Sequence, residues 1–181
     1  LLAKAETPSE RQIIFDVSCS QTDIFLTGEQ ARKVFHAARC DYTDVEKVAK
    51  LLPQVAVTQD ACTFAELCLD TAQLRQLREK LSYAWGPLTG NATGHYCLDF
   101  RLEMHRLAGK KIAGLATAQR SLDERLNRSD RAQHGNGYGF RNERFNGDPL
   151  VLTPQWFTGL EEKDGILRFD FVSSERCISS T

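Results

Sequence analysis

Apolar side chains recur at helical spacing in four successive stretches between residues 27 and 84. Recurrence near i, i+3, i+4 and i+7 places them on one face of a helix. The four stripes are Ala31, Val34, Phe35 and Ala38; Val45, Val48, Ala49 and Leu52; Ala61, Phe64, Ala65 and Cys68; and Leu74, Leu77, Leu81 and Ala84. Because no such short helix could bury its stripe alone, the pattern predicts a bundle of short helices.

Capping residues mark where these helices begin and end. The capping-box pairs are Thr27 with Gln30, Thr43 with Glu46 and Asp70 with Gln73. Thr58 begins the remaining helix, Pro53 ends the second one, and the pair Gly86-Pro87 is typical of a helix end.

The second half of the chain changes to a period of two, which is typical of strands. Residues 95–105 alternate between Tyr96, Leu98, Phe100, Leu102 and Met104 on one side and His95, Cys97, Asp99, Arg101, Glu103 and His105 on the other. This pattern predicts a half-buried strand, and a helix capped by Asp99 is the competing interpretation. Residues 166–172 are predicted to form a last strand, and residues 13–17 are predicted to form another strand of the same sheet.

Between these strands the sequence predicts one helix and two turns. Residues 110–128 read as a basic amphipathic helix, with an apolar face of Ile112, Leu115, Gln119, Leu122 and Leu126. Asn146-Gly147 is the commonest two-residue hairpin turn, and residues 163–165 form a second turn.

Together these elements predict an α+β fold, in which an N-terminal bundle of four short capped helices precedes a small antiparallel sheet with one packed helix. The predicted domains are an N-terminal extension with a strand (1–22), a helical module (23–86), a strand-rich α+β domain (94–174) and a tail (175–181). Residues 86–94 form the predicted linker.

Composition excludes several classes of protein. Hydrophobic residues are 41% and charged residues 26% of the chain, which is ordinary for a globular protein, and the net charge of −1 creates no strong overall field. No apolar run is long enough to cross a bilayer, and residues 1–181 lack the basic start and apolar centre of a signal peptide, so we expect no membrane insertion. The first residue is Leu1, and we expect a fragment or a processed form.

The cysteines favour a reduced chain that is cytoplasmic or otherwise intracellular. They are Cys19, Cys40, Cys62, Cys68, Cys97 and Cys177, and their spacings match no metal or redox motif. Several lie at apolar positions of predicted helices, where a free cysteine acts as a small hydrophobic residue. Glycosylation sequons at Asn91 and Asn127 leave secretion open.

Histidines and carboxylates offer one candidate for a metal or catalytic site. On a strand, His95, Asp99 and His105 would share a face with Glu103, and His134 lies in a glycine-dense loop. No HExxH or GxSxG motif accompanies them. The loop at 133–140 lacks the GK[ST] ending of a phosphate loop. We therefore expect no cofactor, and an enzyme or metal-binding domain stays an alternative.

The loop at 133–145 is the predicted contact site. Tyr138, Phe140, Arg141 and Arg144 lie in it, and tyrosine and arginine dominate binding hot spots. Our leading hypothesis is a non-enzymatic protein–protein interaction or scaffold module that binds a protein partner as part of a larger chain or assembly. Residues 106–144 hold nine Lys or Arg against four acids, so nucleic-acid binding through this segment is an alternative.

The helical half resembles an uncharacterised helical-repeat family. The resemblance rests on Phe25-Leu26-Thr27-Gly28-Glu29-Gln30-Ala31-Arg32-Lys33-Val34 and on Lys50-Leu51-Leu52-Pro53-Gln54-Val55. Family members begin a helix with Phe-Thr-x-x-Gln and end one with a Leu-Leu-Tyr-Pro-like run. Here Leu26 replaces the Phe, and the Tyr is absent. The resemblance spans residues 23–83 and implies a helical module; the family has no established activity, so it implies no catalytic residues.

Overall fold

The computed structural model describes residues 5–20, 25–126 and 138–173. The chain divides into two compact units, Leu1–Leu81 and Ser82–Thr181. Within the described ranges, every helix is too short or too polar to span a bilayer.

The first unit is helical. Its helices are α1 (Pro8–Ser20), α2 (Gly28–Ala37), α3 (Asp44–Leu51), α4 (Thr58–Cys68) and α5 (Thr71–Leu81). The capping boxes predicted for α2 and α3 are present, and the backbone N–H of Gln73 donates to Asp70 at the start of α5. By contrast, α4 begins at Thr58 without a side-chain cap.

The prediction of a strand at residues 13–17 is wrong, because these residues belong to α1. Thr7 and Glu10 bond reciprocally, each accepting from the other's backbone N–H, which is the same motif that begins α2 and α3. Phe15 is fully buried, whereas Ile13 and Val17 are exposed. Of the apolar side chains at Ile13, Phe15 and Val17, only Phe15 is therefore buried, and it packs as part of a helix and not of the sheet.

Apolar packing joins the five helices of this unit. Phe35 of α2 meets Phe64 of α4 edge to face, and Leu52, Leu77 and Leu81 are fully buried. The carboxylate of Asp16 on α1 accepts a hydrogen bond from the hydroxyl of Tyr42 (2.8 Å) and pairs with the ammonium of Lys50 (3.0 Å).

The second unit is an antiparallel sheet with one long helix. It contains α6 (Trp85–Thr89), β1 (Gly94–Asp99), α7 (Glu103–Arg125), β2 (Phe140–Phe145), β3 (Asp148–Pro149) and β4 (Ile166–Phe171). The strand order is β1-β4-β2-β3. The predicted hairpin turn joins β2 to β3, and Asn146 and Gly147 have φ angles of 52° and 96°. Together with the helical unit this forms the α+β fold that the sequence predicts.

Three predicted boundaries in this unit are wrong. The long helix predicted at residues 110–128 begins earlier, because α7 spans Glu103–Arg125. The strand predicted for residues 95–105 stops at Asp99, because the side chain of Asp99 accepts from the backbone N–H of Arg101 and turns the chain into α7. Gly86-Pro87 lies inside α6, and that helix ends instead at Gly90, whose φ is 90°. The predicted linker at 86–94 is thus largely occupied by a helix.

An aromatic core fills the space between the sheet and α7. Phe140, Phe169 and Phe171 project from the strands toward Phe157, which lies in a 3₁₀ helix (Pro154–Phe157). Along α7 the buried face consists of Ala108, Gly109, Ile112, Ala113, Ala116 and Gln119. The predicted inward positions Leu122 and Leu126 are exposed, so the apolar face assigned to the end of this helix is wrong.

Candidate functional site

Phe140 lies in the core rather than at a surface. Its side chain is fully buried, and its ring centroid is 5.3 Å from that of Phe171 and 5.7 Å from that of Phe157. This corrects its assignment as a contact residue, because a partner could not reach it without unfolding the sheet. Tyr138 lies beneath the guanidinium of Arg120, at 4.5 Å from ring centroid to Cζ. Residues 133–137 of the predicted contact loop, including His134, lie outside the described residues.

Arg141 and Arg144 project from the face of the sheet that is turned away from the aromatic core. On β4, Leu167, Phe169 and Phe171 are buried, so the alternate residues Arg168 and Asp170 lie on the opposite face. Arg141 pairs in register with Asp170, and Arg144 pairs with Arg168. We call this surface the outer face, and it consists of His95, Cys97, Arg141, Asn142, Arg144, Arg168 and Asp170.

A β-bulge sets the positions of the arginines on β2. The register shifts between Arg141 and Arg144, and Asn142 has a φ of 55°. The bulge inserts one extra residue on β2, so both arginines reach the same face although three positions separate them. An unbulged strand would place Arg141 and Arg144 on opposite faces.

Asp170 is held by two neighbours on the outer face. Nδ1 of His95 lies 2.5 Å from one of its carboxylate oxygens, and Nδ2 of Asn142 donates to the other (2.6 Å). The hydrogen bond from His95, followed by that from Asn142, lowers the pKa of Asp170. The His95 side chain is 91% exposed. This carboxylate is therefore ionised and engaged within the sheet.

Arg144 and Arg168 form a pair of like charges directly across two strands. Both residues are exposed, and Arg144 donates to the carbonyl oxygen of Gly147 (3.0 Å). On its other flank Arg168 faces Cys97 of β1. Among the described residues, no carboxylate forms an ion pair with either arginine. Like charges in this position are destabilising, so the pair opposes the stability of the sheet.

The predicted metal or catalytic group is not brought together. Asp99 pairs with the guanidinium of Arg101 (2.5 Å), and this hydrogen bond lowers the pKa of Asp99 to about 2. Nδ1 of His105 accepts from the backbone N–H of Asp99 (2.9 Å), and burial lowers the pKa of His105. His95 lies about 13 Å along β1 from Asp99 and bonds to Asp170 instead. Within the described ranges, no three His, Cys, Asp or Glu side chains are placed to hold a metal ion.

Several cations of the basic segment 106–144 are engaged within the second unit. Arg106 donates to the carbonyl oxygen of Phe100 (2.5 Å), Lys110 pairs with Glu161, and Arg120 pairs with Glu124 (2.9 Å). The number of α7 cations that are free to contact a ligand is therefore smaller than the excess of basic residues in this segment indicates.

Five cysteines are described, and all of them are free: Cys19, Cys40, Cys62, Cys68 and Cys97. Burial raises the pKa of Cys19 and of Cys68 to about 11. Because the thiolate is the nucleophilic form, neither thiol is activated for catalysis.

Sequence reasoning missed Arg168 and Asp170 as members of this surface. The alternation of residues 166–172 does place both on the polar side of a strand. It does not reveal that β2 is the neighbouring strand, which is what places Arg168 beside Arg144.

The chain was compared with protein families, curated proteins and solved structures. No protein-family model, no curated protein and no solved structure matches it. The resemblance of residues 23–83 to a helical-repeat family therefore stays a prediction.

Proposed function

We propose that this chain is a non-enzymatic protein–protein interaction module that binds an acidic protein segment on the outer face of its sheet. The observation that carries the proposal is the pair Arg144 and Arg168, two exposed guanidiniums on adjacent strands with no carboxylate partner among the described residues. An acidic partner would relieve their mutual repulsion. Arg141 pairs in register with Asp170 on the same face and extends the surface, whereas Tyr138 stacks on Arg120 of α7 and lies outside it.

The geometry favours an acidic protein segment over single-stranded nucleic acid. Proteins that bind single strands combine basic grooves with aromatic rings on which the bases stack. On this sheet the aromatic rings of Tyr96, Phe140 and Phe169 are buried on the inner side. The basic helix α7 also has several of its cations engaged. Both features weaken the nucleic-acid alternative.

An enzyme finds less support than a binding module. His95 and Asp170 do form a hydrogen-bonded pair that could orient an imidazole as a general base. Nucleophilic catalysis would also need an activated nucleophile beside that base. Cys97 shares the outer face with His95, but among the described residues no hydrogen bond joins the two side chains, and Nδ1 of His95 bonds to Asp170. The two thiols with a raised pKa belong to the first unit and are held in the protonated form.

Fluorescence anisotropy with three labelled probes tests this proposal. The probes are a peptide of alternating Glu and Ser, a peptide of alternating Lys and Ser, and single-stranded oligouridine. We expect the purified chain to bind the acidic peptide selectively. The double variant Arg144→Gln/Arg168→Gln should bind it about tenfold more weakly, because each exposed ion pair contributes up to about 1 kcal/mol.

A variant with the same change in net charge provides the control. Arg32→Gln/Arg39→Gln removes two exposed arginines from the first unit and should leave the affinity unchanged. If both double variants lost affinity equally, binding would reflect net charge and the outer face would not be the site. Tight, salt-sensitive binding of oligouridine in place of the acidic peptide would support the nucleic-acid function instead.

A further inference from the structure

The spacing and the surroundings of Arg144 and Arg168 indicate the kind of anionic group that fits them. The backbone N–H of Asn146 donates to the carbonyl oxygen of Ile166 (2.9 Å), so Asn146 and Ile166 are a hydrogen-bonded pair. Two positions further along, the alternation of an antiparallel ladder makes Arg144 and Arg168 another pair of this kind, for which a Cα separation of about 5.5 Å is typical. Two guanidinium groups that start from this separation can converge on one small anion.

The nearby carboxylates do not satisfy these guanidiniums. Asp170, two positions along β4 from Arg168, already accepts from His95 and Asn142. Asp99 is paired with Arg101. The direct neighbour of Arg168 on β1 is Cys97, which carries no carboxylate. The two arginines thus form a pair of positive charges on the outer face that no carboxylate neutralises by an ion pair among the described residues.

A phosphate group matches this site better than a carboxylate. It carries a charge of about −1.5 to −2 at neutral pH and offers three strong acceptor oxygens. Each guanidinium has a planar fork of donors that can contact two of these oxygens at once. A carboxylate has two oxygens and one charge, so it can satisfy one such fork but not both.

We propose that Arg144 and Arg168 bind a phosphorylated side chain, such as phosphoserine, in the protein partner. This inference rests on the proposed function and adds the chemistry of the group that the partner presents. Phosphate groups also occur along nucleic acids, but the inward orientation of the sheet's aromatic rings leaves the outer face without stacking surfaces among its described residues. A single phosphorylated residue in a protein segment fits such a compact site.

Peptides that differ at one central residue test the inference. The probes are three labelled peptides of otherwise identical acidic sequence, with serine, glutamate or phosphoserine at the centre, and oligouridine is a fourth probe. We expect the phosphoserine peptide to bind about tenfold more tightly than the glutamate peptide. The advantage should shrink as the pH falls from 7 to 5, because the second phosphate pKa is near 6.

Variants assign any such advantage to the two arginines. Arg144→Gln/Arg168→Gln should reduce the phosphoserine advantage to about one, whereas Arg32→Gln/Arg39→Gln should preserve it. Arg168→Lys keeps the charge but not the planar fork, and it should lose most of the advantage. Circular dichroism of each variant establishes that it is folded.

The outcomes separate this inference from the proposed function. Equal affinities for the glutamate and phosphoserine peptides would overturn the phosphate inference and leave the acidic-segment function standing. Failure of every peptide to bind would overturn both. A phosphoserine advantage that survives in Arg144→Gln/Arg168→Gln would overturn the assignment to this site, and preferential binding of oligouridine would favour a nucleic-acid ligand.

Discussion

Two glycines of the second unit lie in contrasting environments. Gly139 precedes β2 with a φ of 82°, and a Cβ atom there would lie 2.7 Å from the carbonyl oxygen of Val172. Gly114 lies on the exposed side of α7, and a Cβ atom there would meet nothing within 4 Å beyond the helix's own backbone. The backbone therefore requires glycine at the first position but not at the second.

Alanine at these two positions should change stability in opposite directions. Gly139→Ala should lower the free energy of unfolding by about 2 kcal/mol or more, because the left-handed conformation costs about 1–2 kcal/mol and the Val172 oxygen must also move. Gly114→Ala should raise it by about 0.5–1 kcal/mol through helix propensity. Urea unfolding followed by circular dichroism measures both values. A Gly139→Ala protein as stable as the original chain would contradict the described loop.

Single residues also show why the surface of the proposed contact site was only partly predictable from the sequence. Arg141 and Arg144 do lie on a common surface, but Phe140 between Tyr138 and Arg141 was assigned to that surface and is buried. Strand alternation counted back from Arg144 gives the wrong face for Arg141, because the bulge at Asn142 inserts a residue. No local pattern in the sequence predicts that bulge.

At the scale of elements, the starts of α2, α3, α4 and α5 were the most predictable features, whereas α7 begins at Glu103 and not at the predicted residue 110. Each capping box depends on two residues three positions apart, so it can be recognised from a short stretch of sequence. The start of α1 carries the same signal in Thr7 and Glu10, and the apolar residues 13–17 obscured it. The end of β1 was harder to predict, because one turn at Asp99 interrupts an alternation that continues in the sequence to residue 105.

From the pairing of β2 with β4 we predict that one substitution changes the stability of the fold and the binding affinity in opposite directions. Arg168→Glu replaces a pair of like charges by a pair of opposite charges on adjacent strands. It should raise the free energy of unfolding by about 0.2–1 kcal/mol and abolish binding of the acidic peptide. Arg168→Gln, which removes the repulsion without adding attraction, should be intermediate in stability.

Urea unfolding and the anisotropy assay measure the two effects on the same samples. A less stable Arg168→Glu protein would show that residues 144 and 168 do not face each other across the strands. A variant that gains stability and loses binding is expected where the residues of a binding surface lower the stability of the fold.

At the scale of the whole molecule, the fold class was predictable and the composition of the outer face was not. The helical period recurs through residues 27–84, and the second half combines strand periods with one helical stretch, so both kinds of element are visible in the sequence. The outer face, by contrast, joins residues far apart along the chain, such as His95 and Asp170, which are 75 positions apart. Such contacts depend on the order of strands in the sheet, and no motif in the sequence encodes that order.

The burial of two cysteines predicts how their alkylation rates differ between the folded and the unfolded chain. Burial raises the pKa of Cys19 and Cys68 to about 11 from 9.0, so near pH 8 their thiolate population is about a hundredfold below that of an unperturbed thiol. Iodoacetamide should therefore leave both residues largely unmodified in the folded chain and modify them readily in urea. Peptide mass spectrometry measures this contrast, and equally fast modification in both states would contradict the described burial.

The hydrogen bond between His105 and the end of β1 limits how the sheet could grow. β1 is an edge strand, and edge strands are templates on which other chains can add and aggregate. Since the N–H of Asp99 is already bonded to the neutral imidazole, an arriving strand could pair with β1 only as far as Cys97. The lowered pKa of His105 keeps this block in place at neutral pH. In acid the protonated ring can no longer accept, and the edge becomes longer for an incoming strand.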